Sequence, residues 1–303
     1  MPSRLSPSNP GVAAAAVVAL AMGIGFTATM FAIVRGTTRP LPVAHPEQIV
    51  AVQKIRTRAA ADGTNTRYQD LAIWSAARSF DSLAAFEPTA YNLAGDGLQP
   101  ERVDGATLTA NTFDVLGIGP TIGRTFRSQD ERAGAERVVL LSDALWRSRF
   151  GADPHVLGTQ IRLDGRPHTV IGVMAPGMGF PINARLWTAF DNASTIRAER
   201  RVVTIFGRLA GEADLDAARA GLSVLTTAAA ESSPAEYASI GAQVMPFTEI
   251  DTPREVIRGL QLLVLAVSMV LLIACANVAS LLVVRGAARA REIATRIALR
   301  AGQ

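Results

Sequence analysis

Residues 119–125 read GPTIGRT, and the first chemistry to test them against is phosphate binding. A phosphate loop needs Gly, four residues, then Gly-Lys-Ser/Thr, so that backbone N–H groups and a lysine cradle the anion. Here Ile118 stands at the first glycine position and Arg124 replaces the lysine. No buried parallel strand precedes the stretch and no long helix follows it, so it is read as a glycine turn joining two strands. GIGFTA, 23–28, echoes a dinucleotide fingerprint but lies inside an apolar run, not in a strand–turn–helix setting. His45, His155 and His168 are scattered, none with a second histidine at i+3 or i+4, and Cys275 is the sole cysteine, so no metal site is indicated. Asp62, Asp130 and Glu131 fall in loops, where nothing separates them from a solvated surface. There is no G-x-S-x-G nucleophile motif. The chain is read as a non-enzyme without a cofactor or metal of its own.

The location of charge carries more. No charge lies between Arg4 and Arg35, and none between Arg258 and Arg285. From 285 onward there are five arginines and one glutamate, which accounts for the formal net charge of +4, while 35–258 holds 24 basic and 25 acidic residues. The basic excess therefore sits at the ends of apolar runs and not on a globular face, which argues against nucleic acid as a partner. Lys54 is the only lysine, and no function is read from it.

Residues 11–34 and 260–284 are the two uncharged runs. At about 1.5 Å per residue, 24 residues reach about 36 Å, enough for a hydrocarbon core of about 30 Å. The first run is too long for a signal-peptide core and ends in VRGTTRPLP, not in a small-residue cleavage site. Both are read as membrane spans. Gly23, Gly25, Ala276 and Ser280 are their small residues, suited to close helix packing. The arginine-rich tail is expected to stay in the cytoplasm. Two spans return the N-terminus to the same side and turn the long middle loop outward. Arg35 and Arg39 on the outer flank oppose this orientation and are outnumbered.

The tail, ARAREIATRIALRAGQ, places Ala290, Ile293, Ala294, Ile297 and Ala301 on one helical stripe, with Arg289, Glu292, Arg296 and Arg300 on or beside the other face. Glu292 and Arg296 make an i, i+4 pair with the acid N-terminal, worth about 0.3–0.5 kcal/mol. Arginines alone would serve as lipid-headgroup anchors. A shallow Ala/Ile stripe beside mixed charge suits a protein groove better.

The outward loop must supply a fold. EQIVAVQKI is strand-like, TRYQDLAIWSAARSF has helical spacing, and DSLAAFEPTAYNLAG returns as a strand. The pattern recurs near the far end: RVVTIFGRL as a strand, a helix with Leu215, Ala218, Leu222 and Leu225 on one side and Asp214 near its N-cap, then SIGAQVMPF as a strand. Two such β-α-β units can share one sheet with helices on one face, the split β-α-β arrangement. Between them, at about 97–200, lies a turn-rich block. It contains a hairpin turning at Asp164-Gly165 and a short helix with Ser142 as N-cap and Gly151 near its C-cap.

NVASLLVVRGAARAREIATRIALRAGQ resembles the end of the second span and the following cytoplasmic helix of MacB/FtsX-type ABC transporter permeases. GIGFTATMFAIVRGTTRPLPVAHPEQIVAV, WSAARSFDSLAAF, FDVLGIGPTIGRTF and VVLLSDALWRSRFGADPHVLGTQIRLDGRPHTVIGVMAPGMGFP match the same group in the same order, and together resemble its acidobacterial duplicated orphan permease branch. The resemblance implies an α+β periplasmic domain, a split β-α-β porter-like subdomain with an inserted second subdomain, between two transmembrane α-helices. The expected layout is a cytoplasmic N-terminus 1–10, span 11–34, MacB-like periplasmic core 35–258, span 259–284 and cytoplasmic coupling helix 285–303. It also implies that Arg289, Arg291, Glu292, Ile293, Arg296 and Ile297 couple to an ABC ATPase subunit, which would hold the ATP, in efflux or export across a bacterial inner membrane. Relatives carry two further spans after the coupling helix, so a second permease copy or a missing C-terminal half is an expected partner, and the chain is expected to be a fragment, a truncated frame or a split product. Arg300 stands where relatives usually have glycine. The alternative from another class is a two-span receptor with an extracytoplasmic sensing domain.

Overall fold

Ile49-Val50-Ala51-Val52 is apolar without alternation because both sides of its strand are covered. Ile49 and Ala51 enter a core with Phe86, Trp187 and Phe206. Val50 and Val52 enter another with Trp74, Ile205 and Leu222. The computed structural model describes residues 43, 45–56, 65–95, 98–181, 183–191, 201–250 and 258–273, with single helical positions between 21 and 29 and between 275 and 287. Residues 40–250 form one compact unit, and 1–39 with 251–303 form another.

The 40–250 unit is mixed α+β. In chain order it contains β1 (Ile49–Arg56), α1 (Tyr68–Trp74), β2 (Phe80–Gly95), β3 (Leu98–Leu108), α2 (Thr112–Leu116), β4 (Pro120–Gly123), β5 (Val138–Leu141) and α3 (Asp143–Phe150). There follow β6 (Gln160–Leu163), β7 (Arg166–Met174), β8 (Leu186–Ala189), β9 (Thr204–Leu209), α4 (Leu215–Ser232), α5 (Pro234–Tyr237) and β10 (Ile240–Pro246). The strands join in the order β10-β1-β9-β2-β3-β8-β5-β7-β4, with β6 paired to both β2 and β7.

The two β-α-β units, β1-α1-β2 and β9-α4-β10, interleave. β9 lies between β1 and β2, and β1 lies between β9 and β10, all antiparallel. Trp74 from α1 and Ala218 and Leu222 from α4 pack with Leu83, Ala85 and Val244 on one face of this sheet. α4 begins where the Asp214 carboxylate accepts the Ala217 N–H at 2.8 Å, and its buried stripe is Ala218, Leu222 and Thr226. It ends before Pro234, which has no N–H to continue the ladder.

The block between the units is tied to them by β2. Phe80–Phe86 of that strand pairs with β9, while Phe86–Gly95 pairs with β3 and Leu93 and Ala94 with β6. One sixteen-residue strand thus belongs to both parts. β5, Val-Val-Leu-Leu, repeats the logic of β1: Val138 and Leu140 join the central core, Val139 and Leu141 a third core with Trp146, Ile161 and Val170. The β6–β7 hairpin turns at Asp164 (φ 49°) and Gly165 (φ 75°), the two positive φ values a type I′ turn requires. α3 starts at Ser142, whose hydroxyl accepts the Leu145 N–H at 3.1 Å, and stops at Gly151 in the left-handed conformation.

The glycine turn expected at 119–125 is instead β4, paired antiparallel with β7. Gly123 has φ 81°, and a Cβ there would lie 2.7 Å from the Gly172 Cα. Gly123 answers to a close approach of two strands, whereas a Cβ on Gly119 would meet nothing within 4 Å. Asp130 and Glu131, expected in a loop, lie in a 3-10 turn, Ser128–Glu131.

Among the described residues no helix is long and apolar enough to cross a membrane. Most of the expected span 11–34, and part of 260–284, lies outside them. Within the described part, 258–273 is helical, and Leu262, Leu265, Met269 and Leu272 expose more than half of their surface.

Candidate functional site

The proposed coupling residues, Arg289, Arg291, Glu292, Ile293, Arg296 and Ile297, lie outside the described residues, as do Gly23 and Asp62. Gly25, Ala276 and Ser280 occupy helical positions and are exposed, and a Cβ on Gly25 would meet nothing within 4 Å. The histidines remain apart. His45 is exposed beside Glu47, His155 is exposed, and His168 is buried. Among the described residues no group of three or more His, Cys, Asp or Glu side chains is placed to hold a metal ion.

Two constellations in the 40–250 unit were not legible beforehand. The first surrounds Lys54. Its ammonium sits 2.7 Å from Asp70 Oδ1, with the two side chains 2% and 0% exposed. Asp70 also accepts the Tyr237 hydroxyl at 2.6 Å and the Arg67 backbone N–H at 2.7 Å. The ammonium lies 4.3 Å from the Tyr237 ring centroid, a cation–π contact. Burial, then the Asp70 carboxylate, pushes the Tyr237 phenol above its ordinary range, so it stays a donor. Arg67 and Gln69 both reach Glu236, at 2.9 and 2.6 Å. β1, α1 and α5 are locked together here. The one available signal was that a single lysine stands among otherwise all-arginine cations, at a site where a compact point charge fits and a planar fork does not.

The second constellation is a polar cleft of about 520 Å³ beside the outer half of β2, reached also from β3, β7 and β8. Its floor is a hydroxyl triad. Tyr91 Oη lies 2.8 Å from both Thr107 Oγ1 and Thr188 Oγ1, and the two threonines are 3.4 Å apart. These residues share the pleated faces of β2, β3 and β8, which run side by side. His168 on β7 directs Nδ1 to the Arg166 carbonyl at 3.0 Å, which fixes the proton on that nitrogen. Burial lowers its pKa; the hydrogen bond to the Arg166 carbonyl opposes this, the charges of Arg137 and Arg166 add to it, and the net shift is downward, so the ring is held neutral. At the rim Glu87 pairs with Arg201 at 3.4 Å. Asp130 receives two hydrogen bonds from the Arg124 guanidinium, at 2.7 and 3.0 Å. Burial would raise its carboxyl, but Arg124 and the Arg127 N–H prevail and hold it below the ordinary value. Its neighbour Glu131 accepts the Ala110 N–H, yet burial raises its pKa. The arrangement can bind polar groups through donors and acceptors that are already committed in direction.

A family model described as the MacB-like periplasmic core domain matches residues 13–225. The fold is similar to the periplasmic region of MacB from Actinobacillus actinomycetemcomitans, at 17% identity and a TM-score of 0.51, over 69% of this chain and 92% of that one. It is similar to a domain of a protein assigned as a permease from Porphyromonas gingivalis, at 14% identity and a TM-score of 0.50, over the same shares of 69% and 92%. The extracellular domain of the noncanonic ABC-type transporter YknZ from Gram-positive bacteria aligns at 14% identity and a TM-score of 0.48, over 65% of this chain and 99% of that one. No curated protein matches this chain.

Proposed function

The chain belongs to the MacB-like periplasmic core domain family, and from that membership we propose that it is a permease subunit, or a fragment of one, of a MacB/FtsX-type ABC transporter working in efflux or export. The observation that carries the reading is the reach of the family match. It begins at residue 13, inside the first apolar run, and extends through the whole inserted block into α4. The run and the outer unit therefore read as parts of one family module.

In this proposal 11–34 and 259–284 span a bacterial inner membrane, 35–258 is periplasmic, and both termini are cytoplasmic. The helix 285–303 docks on an ABC ATPase subunit through Arg289, Arg291, Glu292, Ile293, Arg296 and Ile297. ATP is bound and hydrolysed by that partner, and its closure is passed through the spans as a rigid-body movement of the outer unit. The sharing of β2 between the two parts of that unit supports this lever, since a strand paired along its length resists bending where two loosely hinged lobes would not. The acidobacterial duplicated orphan branch remains the proposed subgroup, with a second permease copy or the missing C-terminal half as the further partner.

The test is capture of the ATPase through the tail. Full-length chain in detergent is expected to retain an ABC ATPase co-expressed from the same genome. Glu292→Lys is expected to weaken retention about two- to tenfold, since a rim charge reversal adds like-charge repulsion at the proposed interface. Unchanged retention after deletion of 288–303 would overturn the assignment of that helix.

A further inference from the structure

The geometry points to the cleft over Tyr91, Thr107 and Thr188 as a binding site for a neutral, polyhydroxylated ligand of the size of one or two sugar rings. This goes beyond the transporter reading and does not rest on it.

Charge balance comes first. Five carboxylates and four guanidiniums line the cleft, and a fifth guanidinium, Arg124, forks onto Asp130 from just behind it. The formal charges cancel, so the site does not select an ion of either sign by its net field. The carboxylates are also occupied. Glu87 holds Arg201, Asp164 accepts both the backbone N–H and the side-chain amide of Asn92, and Glu136 accepts the Thr169 hydroxyl. By contrast, the guanidiniums of Arg132 and Arg166 have no hydrogen-bond or ion-pair partner among the described residues.

The floor adds directed, buried hydrogen-bonding capacity. Tyr91, Thr107 and Thr188 are 8%, 9% and 7% exposed. The tyrosine has one proton and two threonine oxygens at 2.8 Å, so it can donate to only one of them. The threonine that receives that proton keeps its own. Its alternatives are a 3.4 Å contact to the other threonine, long for an O–H···O bond, or an oxygen seated in the cleft. Opposite in character is His168. With its proton committed to the Arg166 carbonyl, Nε2 of the neutral ring is an acceptor.

Free donors from arginine and threonine, a free acceptor from a neutral histidine, and no net charge match a ligand whose groups both donate and accept. Sugar hydroxyls do both. The volume falls in the range of small-molecule sites, about 300–1,000 Å³, but the lining is unlike the mostly apolar walls of sites for drug-like molecules. Arg201 lies 5.4 Å over the Phe190 ring, so that ring does not offer a bare stacking face. Affinity then rests on hydrogen bonds and should be weak, with Kd of about 1 mM.

Saturation-transfer-difference NMR on the full chain in lipid nanodiscs reads binding at that strength. The probes are glucose, standing for a free sugar, and N,N′-diacetylchitobiose, standing for an amino-sugar glycan, with glutamate and inorganic phosphate as charged comparisons. Transfer to one or both saccharides and not to the charged probes is expected, and the stronger saccharide identifies the source. The double substitution Arg132→Ala/Arg166→Ala, at exposed positions that leave the cores untouched, should weaken binding about tenfold. Thr188→Val, close in shape, should weaken it further in a chain whose tryptophan fluorescence is native. No transfer to either saccharide, stronger transfer to glutamate or phosphate, or saccharide transfer unaltered by the double substitution would each overturn the proposal.

Discussion

Lys54 shows how much a single side chain can hold. Its ammonium, the Asp70 carboxylate and the Tyr237 hydroxyl are mutually satisfied out of contact with water. Removing one member of a buried pair strands the other, so Lys54→Met is expected to cost about 3–5 kcal/mol. Tyr237→Phe removes only one donor to a charged acceptor and is expected to cost about 1.5–3 kcal/mol. Chemical denaturation of the detergent-solubilised chain, followed by the fluorescence of its buried tryptophans, Trp74, Trp146 and Trp187, separates the two by the size of the shift. His168 gives a pH dependence with a definite sign. Its folded pKa is lowered by burial first, with the charges of Arg137 and Arg166 adding to it, against the opposing hydrogen bond to the Arg166 carbonyl and the weaker pull of Asp164. The unfolded chain therefore takes up a proton first, and stability that is complete above the ordinary histidine value of about 6.5 declines as pH falls through it. His168→Gln should remove that decline from the stability–pH profile. Neither residue could be assigned from sequence. The partners of Lys54 come from α1 and α5, and the burial of His168 and its nearness to Arg137 come from the pairing of β7 with β5, so their meaning exists only after the sheet has formed.

At the scale of elements the sequence was most informative where local chemistry is decisive. Asp164-Gly165, Ser142 with Gly151, and Asp214 each fix a turn or cap through their own backbone geometry or side-chain acceptor, and each is found where it was expected. GPTIGRT misled because Gly123 answers to a neighbour distant in sequence, Gly172 on β7, and not to a turn. Gly207 is a similar case on β9. A Cβ there would lie 2.6 Å from the Ser82 carbonyl oxygen and collide with the Leu83 side chain. Gly207→Ala is expected to destabilise the β2–β9 junction by about 1–3 kcal/mol, with earlier hydrogen exchange at Ala84–Phe86 than in the α3 region as the local readout.

The whole molecule poses the question of sidedness. Under the proposed topology, with the outer unit in the periplasm and the tail in the cytoplasm, Arg147→Cys, on an exposed position of α3, should react with a membrane-impermeant maleimide added to spheroplasts. Ala301→Cys should react only after the membrane is opened. The reverse pattern would invert the topology and remove the proposed lever. The split β-α-β plan was readable from two periodic segments repeated along the chain. That the inserted block would share β2 was not, because the length of one strand does not reveal that its two halves pair with different neighbours.

The position of β1 in the sheet also governs how the chain can be made. Ile49 waits for Arg208, and Val50 for Pro246, before either edge of that strand has a neighbour. A ribosome delivers β1 long before β9 and β10, so an apolar ribbon with two open edges must be kept from sticking to other nascent chains in the interval. Biogenesis of this protein should accordingly depend on holding factors that act until the last strand has been delivered, and shortening the chain before residue 240 should send it to degradation and not to a smaller folded product.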